Sequence, residues 1–354
     1  MKIPLAQIML AVWASQKPAH GNVSCDAAHN GSSKDDHVNC ESGRNTTSNE
    51  DSSWLVPSLA MSLVALSMLA MGGNAVVVRD SWRSFVRTRA GNVPRPCASL
   101  LMANLALADF GCGLFVMPAS LHALIHGAWV MGTPVCLCIC ALNYCFIIVA
   151  MGTLGIISLD RCLAVWRAAD YRQLLPWKRA AQACGLTWFS GIIFGCVPAA
   201  CRWVWYDREE LICTIRWDQN FRSVITYTLS AFFVCFFGPI CIITTSYIVM
   251  LVAYHRNAFR KNDNNKTSRR LAKMALVMVA AYLMCYTPFA LTKVLKVANG
   301  SLDAVPAWLS TTSSFAAYVN SAINPIIYRL LGRSRRVAKK VDGNKTTLVF
   351  CDSL

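Results

Sequence analysis

Charged residues are almost absent from seven long stretches of this 354-residue chain. Six of them contain no Asp, Glu, Lys or Arg, and the seventh contains a single acidic residue, Asp109. Their bounds are 54–78, 97–128, 129–159, 180–201, 223–254, 274–292 and 304–328. A helix needs about 20 apolar residues to cross a bilayer, and unbroken apolar runs exclude the alternating pattern of a membrane β-barrel. We therefore predict an all-α membrane protein, a seven-transmembrane helix bundle, in preference to a soluble protein with buried helices.

Patterns typical of other function classes are also missing from the sequence. A transporter commonly contains internal repeats around a midplane site, and no such repeat is evident. An enzyme needs a nucleophile–base or metal constellation, and none is evident either. The closely spaced Cys136, Cys138 and Cys140 lack the His or carboxylate set that a zinc site needs. We therefore expect no enzymatic activity, no cofactor and no metal site.

Lysine and arginine are distributed unevenly between the loops. Of the 34 basic residues, 24 lie in 79–96, 160–179, 255–273 and 329–354, and 10 lie in the N-terminal segment and the other loops. Because cytoplasmic loops carry the excess of positive charge, the N-terminus is predicted outside the cell and the C-terminal tail inside. The net charge of +16 is then explained by loops that face anionic membrane lipid, and nucleic acid is not expected as a partner.

Composition divides the chain into three segments. Residues 1–53 are rich in Ser, Asn, Asp and His, and we predict a disordered, glycosylated extracellular segment. Residues 54–328 form the helical domain, and 329–354 form a basic cytoplasmic tail. The predicted glycosylation acceptors are Asn22, Asn30 and Asn45. Residues 1–14 carry Lys2 and a mostly apolar run, but Pro4 and Gln7 interrupt this run, so a cleaved signal peptide is an open alternative that the sequence does not favour.

Two of the 17 cysteines lie near the outer face of the predicted helix bundle. Cys136 is near the outer end of the third stretch, and Cys213 lies in the longest outer loop, 202–222. The exterior of the cell is oxidising, so these two cysteines can form a disulfide. Cys25 and Cys40 are a second candidate pair within the N-terminal segment.

Short motifs occur in a fixed order along the stretches. They are Gly73-Asn74, Asn104 to Asp109, Asp160-Arg161-Cys162, Trp188, Pro198, Pro239, Tyr247, Cys285-Tyr286-Thr287-Pro288-Phe289 and Asn324-Pro325-Ile326-Ile327-Tyr328. Over about residues 54–335 this order resembles the rhodopsin-like (class A) G-protein-coupled receptors, with weaker similarity to the melatonin-related and amine-related branches. The resemblance implies a multi-pass plasma-membrane receptor with an extracellular N-terminus. Such a receptor passes an extracellular signal to a heterotrimeric G protein through outward movement of the sixth helix.

The resemblance also implies roles for individual residues. The residues expected to take part in G-protein coupling are Asp160, Arg161, Tyr247 and Tyr328. The activation switch comprises Tyr286, Pro288, Asn324 and Pro325. A sodium ion or water cluster is expected around Asp109, Asn320, Ser321 and Asn324. The ligand pocket is expected near Asn143, Ile147, Ala231, Cys235, Tyr286, Phe289, Lys293 and Ser314.

The ligand implied by these positions is an extracellular small molecule or peptide. Asn143 stands where receptors for biogenic amines carry an Asp, so a simple amine is disfavoured. Lys293 and Lys296 either attract an acidic ligand or anchor their helix at the membrane interface. The outer loop 202–222, which mixes aromatic residues with both charge signs, either caps the pocket or contacts a peptide.

Several positions depart from the family pattern. Ser268 stands where many relatives carry an acid that holds the arginine of the third helix, Phe146 and Ala150 replace polar contacts of the sodium site, and Tyr286 replaces the usual Trp. These departures predict a weakly held resting state and raised signalling without ligand. A constitutively active or ligand-independent signalling or scavenging receptor is therefore the alternative function.

Overall fold

The computed structural model describes residues 54–90, 96–167, 170–216, 221–256, 264–299, 304–332, 335–342 and 345–352. The predicted glycosylation sites, the possible signal peptide and the Cys25/Cys40 pair lie outside these ranges. So does the side chain of Ser268, although its backbone is helical.

Seven long helices run through the described part of the chain. They are α1 (Leu55–Ala90), α2 (Pro96–Gly111, a π-helical segment Cys112–Val116, then Met117–His126), α3 (Thr133–Trp166), α4 (Trp177–Ala200), α5 (Phe221–Ala231, a π-helical segment Phe232–Phe237, then Gly238–Arg256), α6 (Asn264–Asn299) and α7 (Ala307–Gly332). A short helix, Tyr171–Leu174, lies between α3 and α4. Two antiparallel strand pairs complete the architecture: β1 (Val204–Asp207) with β2 (Ile212–Ile215), and β3 (Arg335–Asp342) with β4 (Lys345–Asp352).

The helices extend beyond the uncharged stretches that predicted them. α1 continues to Ala90 and α6 begins at Asn264, because charged residues are compatible with a helix once it has left the hydrocarbon. The C-terminal end of α2 is set by Gly127, which adopts the left-handed conformation with φ 65° that commonly ends a helix. The uncharged stretches therefore locate the membrane crossings but not the ends of the helices.

Six of the helices, α1 to α6, are long and apolar enough to cross a membrane. α7 is more polar, and its polar side chains point into the bundle. Its buried polar residues are Ser310, Thr311, Ser313, Ser314, Asn320, Ser321 and Asn324. Polar groups at membrane depth are tolerated where they face protein rather than lipid, so the composition of α7 is compatible with a seventh crossing.

Small residues allow the helices to approach one another closely. A Cβ atom added at Gly195 of α4 would lie 2.5 Å from the carbonyl oxygen of Ala141 on α3. A Cβ atom added at Gly73 of α1 would lie 2.8 Å from the ring of Pro325 on α7. Close backbone approach at small residues is a principal source of helix association in membranes. The Gly73-Asn74 motif thus brings α1 against α7.

The second outer loop folds into a two-stranded hairpin, Val204–Ile215, which we call the outer hairpin. Tyr206 pairs with Cys213 in its register. Asp207 accepts hydrogen bonds from the backbone N–H groups of Glu209 and Glu210 at 2.9 and 3.2 Å, which orders the turn. Leu211 completes the turn with φ 58°.

A disulfide joins the outer hairpin to the outer end of α3. Cys136 and Cys213 are bonded, with a Cα–Cα distance of 5.5 Å, so the predicted bridge is confirmed. Beyond it, Leu211 and Ile212 enter the same buried apolar cluster as Leu63 of α1. The hairpin therefore lies within the outer mouth of the bundle.

Candidate functional site

The residues predicted to bind a ligand belong to four helices. Asn143 and Ile147 lie on α3, Ala231 and Cys235 on α5, Tyr286, Phe289 and Lys293 on α6, and Ser314 on α7. Asn143, Tyr286, Lys293 and Ser314 are buried and the others are half-buried. The Tyr286 ring packs against the Tyr282 ring at a tilt of 30°, with 4.4 Å between ring centroids. Ligand binding by this set remains a prediction.

The outer hairpin carries polar side chains into this region. Thr214 of β2 lies within 3.1 Å of the Tyr144 hydroxyl on α3 and accepts a hydrogen bond from Lys293 of α6 at 2.8 Å. Thr311 of α7 donates to the backbone carbonyl oxygen of Glu209 at 2.7 Å. Contacts from three helices to one loop fix the hairpin at the outer end of the bundle, and its role towards a ligand remains a prediction.

Lys293 and Lys296 form ion pairs with the outer hairpin. Lys293 donates to Glu210, and its ammonium nitrogen also lies 4.9 Å from the centroid of the Phe289 ring. Lys296 donates to Asp207 at 2.9 Å and to Glu210 at 3.1 Å. Lys296 is 0% exposed and Lys293 is 8% exposed, so neither side chain extends into the membrane interface as an anchor.

Sequence reasoning did not identify the acidic partners of these lysines. Asp207 and Glu210 are 4% and 1% exposed, and an acidic side chain is rarely buried without a cationic partner. The sequence showed that the loop contains both charge signs. The sequence did not show that the acidic residues of this loop contact lysines that follow more than 80 residues later in the chain. Only the docking of the hairpin brings these residues together.

A polar cluster surrounds the one acidic residue of the membrane stretches. Asn324 of α7 donates to Asp109 of α2 at 2.7 Å. Asn74 of α1 donates to the backbone carbonyl oxygen of Ser321 at 2.9 Å. The side-chain oxygen and nitrogen of Asn320 are buried with no hydrogen-bond partner among the described residues.

The members of this cluster fit a cation or water. The Asp109 carboxylate and the Asn320 amide oxygen are hard oxygen donors of the kind that alkali and alkaline-earth cations bind, and a buried polar group without a protein partner usually bonds to water. The apolar Phe146 of α3 lies against Gly111 of α2. A Cβ atom added at Gly111 would be 2.5 Å from the Phe146 ring. Asp109 of α2 and Asn324 of α7 are thus in direct contact, and a sodium or water cluster that also includes Asn320 and Ser321 remains a prediction.

Asn104 belongs to the predicted motif of α2, but its role emerges from its contacts. Its amide nitrogen donates to Thr153 of α3 at 2.8 Å, and its amide oxygen accepts from the indole N–H of Trp188 on α4 at 2.9 Å. One side chain thus connects three helices, which explains why a polar residue is present at this depth.

The inner end of α3 holds an arginine in a buried ion pair. Arg161 donates from Nε to Asp160 at 2.8 Å and again from Nη2. The two residues are 4% and 1% exposed. A small cavity is lined by Arg161 together with Leu101 of α2 and with Leu271 and Met274 of α6. In this structure Arg161 is therefore enclosed and α6 lies close to it.

Tyr171 of the short loop helix is a partner that sequence reasoning missed. Its hydroxyl donates to the second carboxylate oxygen of Asp160. Burial, together with the charge of Asp160, raises the pKa of the Tyr171 phenol well above its ordinary value, so the hydroxyl keeps its proton. Tyrosine in a loop between two helices is too common a feature to reveal this contact from sequence.

Other predicted switch and coupling residues lie on α5, α6 and α7. Tyr247 packs beside the buried apolar cluster at the inner end that contains Met250. Tyr328 is half-buried, and its hydroxyl oxygen is enclosed by protein. Pro288 and Pro325 lie inside α6 and α7, where each removes one backbone hydrogen bond of the helix.

Residues 85–328 match the family described as 7 transmembrane receptor (rhodopsin family). Melanopsin from Rutilus rutilus is 26% identical over 301 residues, which cover 80% of this chain and 58% of that protein. The melatonin receptor type 1B-B of Danio rerio is 26% identical over 302 residues, covering 83% and 84%. The chain thus spans little more than half the length of the melanopsin, but most of the melatonin receptor.

The fold is similar to that of squid rhodopsin, whose crystal structure matches with a TM-score of 0.67 at 22% identity and covers 78% of this chain and 82% of that one. The predicted fold class, a bundle of seven transmembrane helices, is confirmed by this match together with the family assignment. The chain belongs to the rhodopsin family of seven-transmembrane receptors.

Proposed function

We propose that this receptor responds to an extracellular ligand at the plasma membrane and activates a heterotrimeric G protein through outward movement of α6. The observation that carries the proposal is the enclosed Arg161, which binds Asp160 and lines a small cavity together with Leu271 and Met274 of α6. Outward movement of α6 would open this cavity. It would expose Arg161 at the inner face, where the basic loops are predicted to lie.

Pro288 supports a bending movement of α6. Pro288 interrupts the backbone hydrogen bonds of α6 between the outer pocket and the inner end. Above it, Lys293 is attached to the outer hairpin, and below it Met274 approaches Arg161. A bend at Pro288 therefore couples a change at the outer contacts of α6 to a movement of its inner end.

The outer contacts narrow the class of ligand. The positive charges of Lys293 and Lys296 are matched by carboxylates of the hairpin, so they offer little free charge to an acidic molecule while the hairpin stays docked. Asn143 provides no counter-ion for an amine. We propose a small molecule or peptide that is recognised mainly by apolar contacts and neutral hydrogen bonds.

The proposal can be tested without a known ligand. Replacing Asp160→Asn weakens the pairing that encloses Arg161, and a hydrogen bond to a charged group contributes about 1.5–3 kcal/mol. Since about 1.4 kcal/mol is a tenfold change in population, ligand-free nucleotide exchange on the G protein should rise about tenfold at equal surface level. The measurement uses receptor-containing membranes and a panel of purified Gα subtypes.

The loop next to this pair offers a matched control. Asp170 pairs with Arg167 at 3.6 Å, and both side chains are about half exposed, so Asp170→Asn should leave exchange unchanged. The double variant Asp160→Asn, Arg161→Ala should return exchange to the level of cells without receptor. A rise that persists in the double variant, or no rise in Asp160→Asn, would contradict the role of Arg161. Exchange by the unmodified receptor then decides between a ligand-regulated and a constitutively active protein.

A further inference from the structure

The carboxylate of Glu210 lies between two lysine ammonium groups. Its Oε2 accepts a hydrogen bond from Lys293, and its Oε1 accepts one from Lys296 at 3.1 Å. Glu210 is 1% exposed, so this arrangement is shielded from solvent. Two ammonium donors that converge on one buried carboxylate form the kind of site that binds a carboxylate ligand.

Each lysine is positioned by groups other than Glu210. Lys293 also donates to Thr214 at 2.8 Å and lies over the Phe289 ring. Lys296 also donates to Asp207 at 2.9 Å. Loss of the Glu210 carboxylate would therefore leave both ammonium groups close to their present positions, around a space of carboxylate size.

The hairpin presents Glu210 in a pre-ordered turn. The backbone N–H of Glu210 is held by Asp207, the strands are paired, and the Cys136–Cys213 disulfide fixes the hairpin to α3. A ligand group that is already ordered loses little entropy when it binds. A tethered carboxylate therefore occupies the position more readily than a dissolved one does.

We propose that Lys293 and Lys296 form an anion subsite of the receptor and that the protein fills it with its own Glu210. The outer hairpin then acts as a built-in carboxylate ligand that holds the outer end of α6. A carboxylate from outside, whether a free small acid or an acidic group of a larger ligand, reaches the two lysines only when Glu210 has left them.

The test is chemical rescue of a truncated side chain. Glu210→Ala should lower the melting temperature (Tm) of the purified receptor, because it leaves two buried ammonium groups with less compensating charge. Sodium acetate or propionate should then restore at least half of the lost Tm with a saturable dose dependence. Sodium chloride at equal ionic strength and the neutral isostere propionamide should not.

Three variants separate this subsite from general effects of salt. Glu210→Gln keeps the space filled with a neutral amide, so acetate should not raise its Tm. Adding Lys293→Met to Glu210→Ala should abolish the response to acetate. Glu209→Ala is the matched carboxylate control, since Glu209 is 3.9 Å from Lys296 and its side chain is about one-third exposed; its Tm should show no saturable acetate response.

The delivery of receptor to the cell surface tests the subsite even if Glu210→Ala folds poorly. Cells that express Glu210→Ala should deliver more receptor to the surface when grown with acetate than with chloride or propionamide. Equal effects of acetate and chloride on both Tm and surface level would overturn the subsite. Neither measurement involves a G protein, so this failure would leave the proposed coupling role of Arg161 intact, and the reverse also holds.

Discussion

The two ends of the helix bundle are closed by different kinds of contact. At the outer end a disulfide, a strand pair and a buried group of two lysines and two carboxylates tie one loop to α3, α6 and α7. At the inner end the enclosed Arg161 is held by Asp160, its immediate neighbour in the chain, and by Tyr171 through that carboxylate. The outer contacts join residues that are distant in sequence, whereas the inner ion pair lies within a single helix.

This difference predicts that the outer contacts stabilise the fold, whereas the inner ion pair controls the change of signalling state. Contacts between distant residues restrain the folded arrangement, and several must break before the outer end can open. The inner pair restrains one side chain, and it can be exchanged for another partner without unfolding any element. Substitutions at the outer end should therefore change folding and surface delivery, and substitutions at the inner end should change signalling.

The largest effect is expected from the disulfide. Cys213→Ser removes a cross-link that spans 77 residues, and such a bridge contributes about 2–4 kcal/mol to stability. Surface level and Tm should fall sharply. Cys138→Ser, which changes an exposed free cysteine of the same helix, should alter neither. Equal surface levels for the two variants would show that the bridge contributes little to folding.

A second large effect is expected from Arg161. Arg161→Ala should reduce receptor-catalysed nucleotide exchange more than tenfold at matched surface level, because it removes the group proposed to meet the G protein. The comparison requires that Tm change less than in Cys213→Ser. If coupling survives while Tm falls, Arg161 stabilises the inner end and does not carry the signal.

A single tyrosine hydroxyl can be removed at each end of the helix bundle. Tyr171→Phe deletes the hydrogen bond to the Asp160 carboxylate, and a hydrogen bond to a charged group contributes about 1.5–3 kcal/mol, so ligand-free exchange should rise about tenfold. Tyr144→Phe deletes the contact with Thr214 of the hairpin and should lower Tm without raising exchange. A rise in exchange for both variants would show that the two ends are not separated in this way.

The smallest effect is expected from adding an acid to α6. Ser268→Glu is expected to supply a partner for Arg161, since the family resemblance implies an acid at this position. An ion pair at a protein surface contributes about 0.2–1 kcal/mol, and on that scale ligand-free exchange should fall about twofold. Ser268→Gln, which adds similar bulk without charge, serves as the control. Identical exchange in the two variants would mean that Asp160 and Tyr171 already hold Arg161 fully.

Local features of the sequence predicted the parts of the site that lie on one element. The Asp160-Arg161 pair is adjacent in the chain, and both the motif and the contact were recognised. Asp109 was identified because a lone carboxylate in a membrane stretch is costly and needs a polar environment. Its contact with Asn324, which joins α2 to α7, was expected from the family resemblance and not from Asp109 itself.

Other parts of the site depend on how distant segments meet. Lys293 and Lys296 were recognised as unusual, but the two roles considered for them did not include a loop carboxylate. Tyr171 had no distinguishing pattern at all. Local sequence does not reveal these contacts, because the energy of an ion pair or a hydrogen bond depends on two residues that are far apart in the chain.

The sequence by itself determined the number of membrane crossings, their order and the identity of the motifs, because the free energy of placing each residue in lipid or water depends mainly on that residue. Only the tertiary structure decided which charges are satisfied inside the protein. The docking of the outer hairpin placed Glu210 between two lysines, and the approach of the short loop helix placed Tyr171 on Asp160. Such contacts depend on relative positions that packing sets within a few ångströms.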